Sequence, residues 1–198
     1  MKRRDVLKSL GLSAGFLVVT PTVASLLQSC TNDSETWIPE FLSVEQGIII
    51  TNLVDVFIPK TDIPSATEVN VPQFIDRYFD KVLEDDQQAQ VKASFTKVVA
   101  LIKSEFNESI NKVTEEDYKS LLDNHMKVKD EVDEAREANP EALIITTSEL
   151  LNTLKSLAVT GYVKSQEIAK NVLVYDPIPS AYYCDDLEKL TGGKAYSL

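Results

Sequence analysis

Residues 161–167 read Gly-Tyr-Val-Lys-Ser-Gln-Glu, and residues 174–184 read Val-Tyr-Asp-Pro-Ile-Pro-Ser-Ala-Tyr-Tyr-Cys. Gly161 is costly inside a helical pattern, so it indicates either a close backbone approach or a helix break. Pro177 and Pro179 fix φ and push the residues before them towards extended geometry. The second segment, called the strap below, is expected to be a stiff element that lies across another surface, or else a proline-rich turn that ends a helix.

Helical spacing of apolar residues extends from Gly161 back to the beginning of the domain. Ser43 and Gln46 form a capping-box pattern that starts a first helix, and Pro59 ends it. Further helices are predicted after Asn70, from about Gln87 to Ile110, from Thr114, and from Thr147 or Ser148. The charged segment 127–138 is expected to be an exposed helix or excursion. With no clear strand or repeat pattern, the sequence predicts a small all-α single-domain helical bundle with proline-rich connecting loops and an irregular C-terminal strap.

The N-terminal residues have the pattern of an export signal. Arg3 and Arg4 lie in a segment that resembles a twin-arginine motif, and a modestly apolar run follows. Pro21 interrupts that run before it reaches the roughly 20 residues needed to span a bilayer. The sequence Leu-Gln-Ser-Cys at 27–30 is typical of a lipobox, with cleavage before Cys30 and lipid on its thiol. The alternative is a plain signal anchor with a chance cysteine.

These signals divide the chain into three parts. Residues 1–29 are predicted to be a twin-arginine-type lipoprotein signal peptide, residues 30–42 a lipid-anchored tether, and residues 43–198 the helical domain. Lipid chains on Cys30 would hold the protein on a membrane, since two or more acyl chains give stable anchoring.

The charge of the chain excludes several kinds of partner. Removal of residues 1–29 takes away four basic residues and one acidic residue, which leaves 16 basic and 30 acidic residues. A net charge of −14 argues against binding to nucleic acid and against electrostatic docking on anionic lipid.

Sequence patterns of a catalytic or cofactor site are missing. The chain has no G-x-G-x-x-G before a helix and no C-x-x-C-H for haem. His125 is the only histidine, and it is expected to be an exposed polar residue. Paired acids such as Glu115 and Glu116 suit a solvated first helical turn. We therefore predict no catalytic, cofactor-binding or metal-binding residues in this chain.

Two sets of motif residues resemble one family. The first is GY-x-x-S-(Q/E) at 161–167, followed by Y-D-P-x-P beginning at Tyr175. The second is I-P-x-T-D-x-P at 58–64, followed by V-x-x-F-I-D at 71–76. Together they are similar to the gluconate 2-dehydrogenase subunit 3 family, over roughly residues 43–187. Ser65 and Ser180 stand where the family usually has Gly, so both turns depart from the family pattern.

The resemblance implies a non-catalytic accessory subunit of a flavin-dependent, glucose–methanol–choline-type sugar or sugar-acid dehydrogenase. The chain would have no cofactor of its own, FAD would be in the catalytic subunit, and a cytochrome c subunit could accept electrons. It would support folding, export or membrane anchoring of the catalytic subunit. The expected location is the cell envelope of a Gram-negative bacterium, on the periplasmic side or the outer membrane. The alternative is a freestanding lipoprotein that binds a small sugar or another envelope protein.

The resemblance also suggests where a partner would bind. Aromatic residues outside the helical spacing, in a stiff segment, suit a partner interface. The predicted interface residues are Tyr162, Tyr175, Asp176, Pro177, Pro179, Tyr182, Tyr183 and Cys184. Because lipidation would use Cys30, Cys184 has no partner in its own chain. It is expected to be buried against the catalytic subunit or disulfide-bonded to it, or alternatively to pack as a small apolar residue under the strap.

Overall fold

A computed structural model describes residues 37–106, 109–127, 145–178 and 184–197, and the compact unit that contains its helices spans Ile38–Leu198. The helices are α1 Val44–Phe57, α2 Val71–Lys81, α3 Asp85–Phe106, α4 Glu115–His125, α5 Thr147–Lys164 and α6 Leu187–Thr191. Short 3₁₀ turns cover Thr67–Val69 and Ile110–Lys112, and a π-helical turn covers Ile168–Val172. The prediction of a small all-α domain is confirmed.

Capping boxes begin three of the helices. The N–H of Gln46 donates to Ser43 Oγ at 3.3 Å, and the N–H of Ser43 donates back to Gln46 Oε1 at 3.0 Å. The same reciprocal pair starts α4 from Thr114 and α5 from Thr146. Each box gives partners to N–H groups that a helix start otherwise leaves unpaired. The predicted starts of α1, α4 and α5 therefore agree with the structure.

Helix α2 begins after Asn70 as predicted, whereas the end of α3 differs from the sequence prediction. Asn70 precedes α2 with φ 62°, and its side chain makes no capping hydrogen bond. It serves α2 through its backbone, since Asn tolerates the left-handed conformation and its carbonyl accepts from the N–H of Phe74. The third helix ends at Phe106, and the predicted extension to Ile110 is wrong because Ile110–Lys112 forms a separate 3₁₀ turn. The 127–138 prediction falls mainly outside the described residues.

Helix α5 holds the bundle together, because it packs against α1, α2, α3 and α4. The largest fully buried side chains are Tyr118, Phe79, Phe95, Ile49, Ile50, Leu53, Ile75, Ile102, Leu121, Leu150, Leu151 and Leu154. Full burial of one such aliphatic or aromatic side chain contributes about 1.5–3 kcal/mol. The apolar faces of the helices therefore supply the main stabilisation of the domain.

None of the helices in the described ranges is long and apolar enough to cross a membrane. Extended pairing in these ranges is limited to an isolated parallel bridge between Val174 and Tyr196. This bridge connects the strap to the residues after α6.

Candidate partner-binding surface

The two sets of motif residues meet in the folded domain. Tyr162, from the Gly-Tyr motif on α5, donates its hydroxyl hydrogen to the carbonyl of Pro64 at 2.6 Å. Pro64 ends the I-P-x-T-D-x-P motif, 98 residues earlier in the chain. Only 7% of Tyr162 is exposed, and burial, with the nearby Glu68 charge, raises the pKa of its hydroxyl. The Tyr162 side chain therefore fixes the 58–64 loop onto α5.

Gly161 allows α2 to approach α5 closely. A Cβ added at Gly161 would lie 2.5 Å from Cδ1 of Phe74, which is in the V-x-x-F-I-D motif. Gly161 is within α5, so the helix continues through it. Of the two predicted roles for this glycine, the close backbone approach is the one that the structure shows.

Asp76, the last residue of the V-x-x-F-I-D motif, binds the chain segment that leads into α1. Its carboxylate accepts hydrogen bonds from the N–H of Glu40 at 2.8 Å and of Leu42 at 3.0 Å. The N–H of Phe41 lies between them, at 3.3 and 3.4 Å from the two oxygens. Asp76 is 1% exposed, so these N–H groups replace the water that a carboxylate requires. Residues 40–42 are thus held against α2.

A second carboxylate orders the turn after the 58–64 loop. Asp55 on α1 accepts from the N–H of Thr67 at 2.9 Å and from its hydroxyl at 2.6 Å. Ser65 is buried and donates its N–H to Glu68 at 2.9 Å. Among the described residues other than Gly, positive φ occurs at Asn70 alone, so the turn at Ser65 does not require Gly. Ser180, the other departure from the family pattern, is outside the described residues.

Lys60 and Glu68 form an ion pair at the surface of this loop. The Lys60 ammonium and the Ser65 N–H lower the pKa of the Glu68 carboxyl. A cleft of about 470 Å³ lies on one side of the pair, and its lining includes Asn52 and Asp55. A shallower depression of about 410 Å³ includes Asp62 and Glu167. Because Asp55, Lys60 and Glu68 already bind partners within the chain, the first cleft has few free polar groups for a ligand.

Ser165 closes the Gly-Tyr motif at the end of α5. Its hydroxyl donates to the carbonyl of Tyr162 at 2.8 Å and lies 3.4 Å from the N–H of Ile168. One side chain thus ends α5 and begins the π-helical turn that leads to the strap. Below, Pro64, Phe74, Asp76, Gly161, Tyr162 and Ser165 are together called the motif cluster.

Comparison with known proteins identifies the family. The family model for gluconate 2-dehydrogenase subunit 3 matches residues 44–179, which is more than half of the chain. The chain belongs to the gluconate 2-dehydrogenase subunit 3 family. No significant match exists among the curated proteins or among the solved structures. The match contains the whole motif cluster, whose residues join α2, α5, residues 40–42 and the 58–64 loop of this subunit 3 chain.

One predicted interface residue lies inside the subunit 3 domain. Tyr162 is buried and bonded to Pro64, so its ring has no surface available to a partner. Helical spacing explains the difference, because Tyr162 follows the buried Ala158 and Leu154 on the same face of α5. The apolar periodicity of α5 therefore predicts the burial of Tyr162 correctly. The position of Tyr162 shortly before the strap in the sequence does not make it an interface residue.

The other predicted interface residues that the structure describes are exposed. Tyr175 is 48% exposed, and Asp176 and Pro177 are exposed as well. Cys184 is a free, exposed cysteine, so it does not pack beneath the strap in this chain. Whether a partner covers or bonds it stays a prediction.

The remaining predicted sites lie outside the described residues. They are Pro179, Tyr182 and Tyr183 of the strap, the lipidation site Cys30, and the export-signal residues Arg3 and Arg4.

The surface beyond the strap was not expected from the sequence. The N–H of Val174 donates to the carbonyl of Ala195 at 3.0 Å, and the N–H of Ser197 donates to Val174 at 3.1 Å. These bonds hold the segment after α6 beside the strap. The C-terminal surface is defined here by its exposed apolar residues, namely Tyr175, Ile178, Leu187, Leu190 and Tyr196.

His125 is less exposed than its polar sequence surroundings predict. Its Nε2 lies 2.5 Å from Glu105 Oε1, and only 22% of its side chain is exposed. The pair links the end of α4 to the end of α3. Within the described ranges, no group of three or more His, Cys, Asp or Glu residues is arranged to hold a metal ion. The partner of the His125 imidazole in this structure is the Glu105 carboxylate.

Proposed function

We propose that this chain is a non-catalytic accessory subunit of a flavin-dependent sugar or sugar-acid dehydrogenase of the glucose–methanol–choline type. The observation that carries the proposal is the family match over residues 44–179, since the family's name describes one subunit of a dehydrogenase. The chain would support the folding, export or membrane anchoring of the catalytic subunit.

The use of the motif residues supports this proposal. Asp76, Gly161 and Tyr162 contact other parts of the same domain, where they fix loops and helix packing. These roles require no substrate or cofactor. The motifs are therefore explained as elements that build a rigid body, which then offers an exposed strap to a partner.

Anchoring and electron transfer complete the proposed complex. Cys30 would carry the lipid, and Arg3 with Arg4 would direct export by the twin-arginine route, which carries folded cargo. FAD would be held by the catalytic subunit, and a cytochrome c subunit would take up its electrons. The complex would then work in the cell envelope of a Gram-negative bacterium, on the periplasmic side or at the outer membrane.

Purification from the native host tests the proposal. The full chain, tagged within the predicted tether between residues 31 and 36, is extracted from membranes with detergent and purified. We expect a second subunit in equal amount, with the yellow absorbance band of a bound flavin. A colourless chain purified without a second subunit would contradict the proposal and would favour the freestanding binding lipoprotein.

The anchor has its own test in the same preparation. Cys30→Ala is expected to leave the protein unprocessed or to release it from membranes, because no acyl chains hold it there. Ser29→Ala is the matched control, since it alters the neighbouring residue and keeps the thiol. A Cys30→Ala protein that is processed and retained in the detergent phase like the wild type would contradict lipidation at Cys30.

A further inference from the structure

Exposed apolar residues are concentrated at the C-terminal end of the domain. The described residues include eleven large hydrophobic side chains that are exposed, and five of them lie in the strap or in the C-terminal segment that the Val174–Tyr196 bridge joins to it. Ile178 is 82% exposed and Leu187 is 65% exposed. An exposed apolar patch with polar neighbours is typical of a protein–protein interface.

The backbone of this surface is ordered by contacts of its own. Val174 pairs with Ala195 and Ser197 through two backbone hydrogen bonds, which join the strap to the C-terminal segment. Asp186 caps α6 by accepting from the N–H of Glu188 at 2.9 Å. Gly192 then ends α6 with φ 63°, a conformation that glycine adopts without steric cost. Apolar side chains held in this way lose less conformational entropy when a partner covers them.

The charges around the surface distinguish two possible occupants, a second copy of this chain and a different protein. Its described neighbours include four acids, Asp176, Asp185, Asp186 and Glu188, against three lysines, Lys170, Lys189 and Lys194. One of the lysines, Lys189, already pairs with Asp185 at 3.6 Å. Two copies of the chain would bring acids against acids, on a chain whose net charge is −11. The surface therefore favours a different protein that presents apolar side chains with a basic rim.

We infer that the C-terminal surface, including Leu187, Leu190 and Tyr196, is the docking site for the flavin-containing dehydrogenase subunit. This inference rests on the proposed function and extends the predicted interface beyond the strap. Leu187, Leu190 and Tyr196 lie after the family-matched residues 44–179, so the match itself assigns them no role.

Paired substitutions test the docking site in the native complex. Leu187→Asp with Leu190→Asp is expected to lower the recovery of flavoprotein at least tenfold, because the partner's apolar groups would meet two new charges. Val44→Asp is the matched control, since Val44 is 61% exposed and lies outside the surface. Thermal unfolding checks that both variants stay folded, because Leu187 is 65% exposed but Leu190 is 40% exposed and keeps contacts within the domain.

The outcomes separate the inference from the proposed function. Wild-type recovery of flavoprotein by the double variant would overturn the docking site while leaving the accessory function intact. Failure of the wild type itself to recover flavoprotein would overturn both.

Photo-crosslinking covers the case in which the double variant does not fold. Benzoylphenylalanine at position 187 should crosslink to the flavoprotein, whereas the same group at position 44 should not. Adducts at position 187 with a second copy of this chain, or flavoprotein adducts at position 44 alone, would overturn the inference.

Discussion

The motif cluster and the C-terminal surface both include residues of the motifs that resemble the family, but they differ in exposure. The tyrosine of the motif cluster is buried, whereas the tyrosines of the C-terminal surface are exposed. In the motif cluster, Tyr162 is 7% exposed and its hydroxyl is bonded within the domain. In the C-terminal surface, Tyr175 is 48% exposed, and its ring is approached by the Lys170 ammonium at 5.7 Å. Motif residues can thus either stabilise the domain or remain available to a partner. Burial and hydrogen bonding within the chain distinguish the first kind from the second.

The largest effect is expected at Asp76. Asp76→Asn should lower the free energy of unfolding by about 2–3 kcal/mol, because an amide removes the charge and turns a donor towards backbone N–H groups. Urea unfolding of the purified chain measures the change. Asp123→Asn, an exposed change on α4, should stay within about 0.5 kcal/mol of the wild type. Equal stability of the two variants would show that the hydrogen bonds of Asp76 contribute no more to folding than an exposed carboxylate does.

Gly161 tests the close approach of α5 and α2. An alanine gains about 1 kcal/mol of helix propensity at this position, but overpacking in a filled interior costs about 1–3 kcal/mol. At 2.5 Å from the Phe74 ring the clash should prevail, so Gly161→Ala should destabilise the domain by about 1 kcal/mol. Adding Phe74→Leu should recover part of that loss in a double-mutant cycle. A Gly161→Ala chain that is more stable than the wild type would contradict the close packing.

The helices that carry the motif cluster could largely be predicted from the sequence. The hydrogen bonds that the cluster makes to distant parts of the chain could not. The starts of α1, α4 and α5 follow from local capping chemistry. The burial of Tyr162 was available from the periodicity of α5. In contrast, nothing local shows that Asp76 binds residues 40–42, since its partners lie 34–36 positions away.

The C-terminal surface could be predicted only in part. Its strap was expected from Pro177 and Pro179, which act on local geometry. The pairing of Val174 with Tyr196 joins residues that no short-range pattern relates. Short stretches such as α6 have weak periodicity, so their exposed faces emerge only from the folded chain.

A pH dependence of stability is expected from Tyr118, a buried residue of α4. Burial, partly offset by Asn52, raises the pKa of Tyr118 to about 12 in the folded protein. The unfolded chain ionises near pH 10, so between pH 10 and 12 it releases a proton that the folded chain keeps, and stability falls as pH rises. The loss should reach about 1 kcal/mol by pH 11. Tyr118→Phe should flatten this part of the stability profile, and an unchanged slope would contradict the assignment.

The smallest expected effect compares one tyrosine from each region. Tyr162→Phe removes the hydroxyl that donates to Pro64 and should cost about 0.5–1 kcal/mol in urea unfolding. Tyr175→Phe should have no measurable effect on the isolated chain, because that residue is largely exposed. Equal costs at both positions would remove the distinction between the regions.

Hydrogen exchange in the purified complex tests the central claim most directly. Amides of 174–178 and 184–197 should exchange more slowly when the flavoprotein is bound than in the chain alone, because the partner covers the C-terminal surface. Amides of 158–165 in α5 should exchange at the same rate in both samples, because the domain already protects them. Partner-dependent protection at the 58–68 loop, with unchanged exchange at 184–197, would contradict the account.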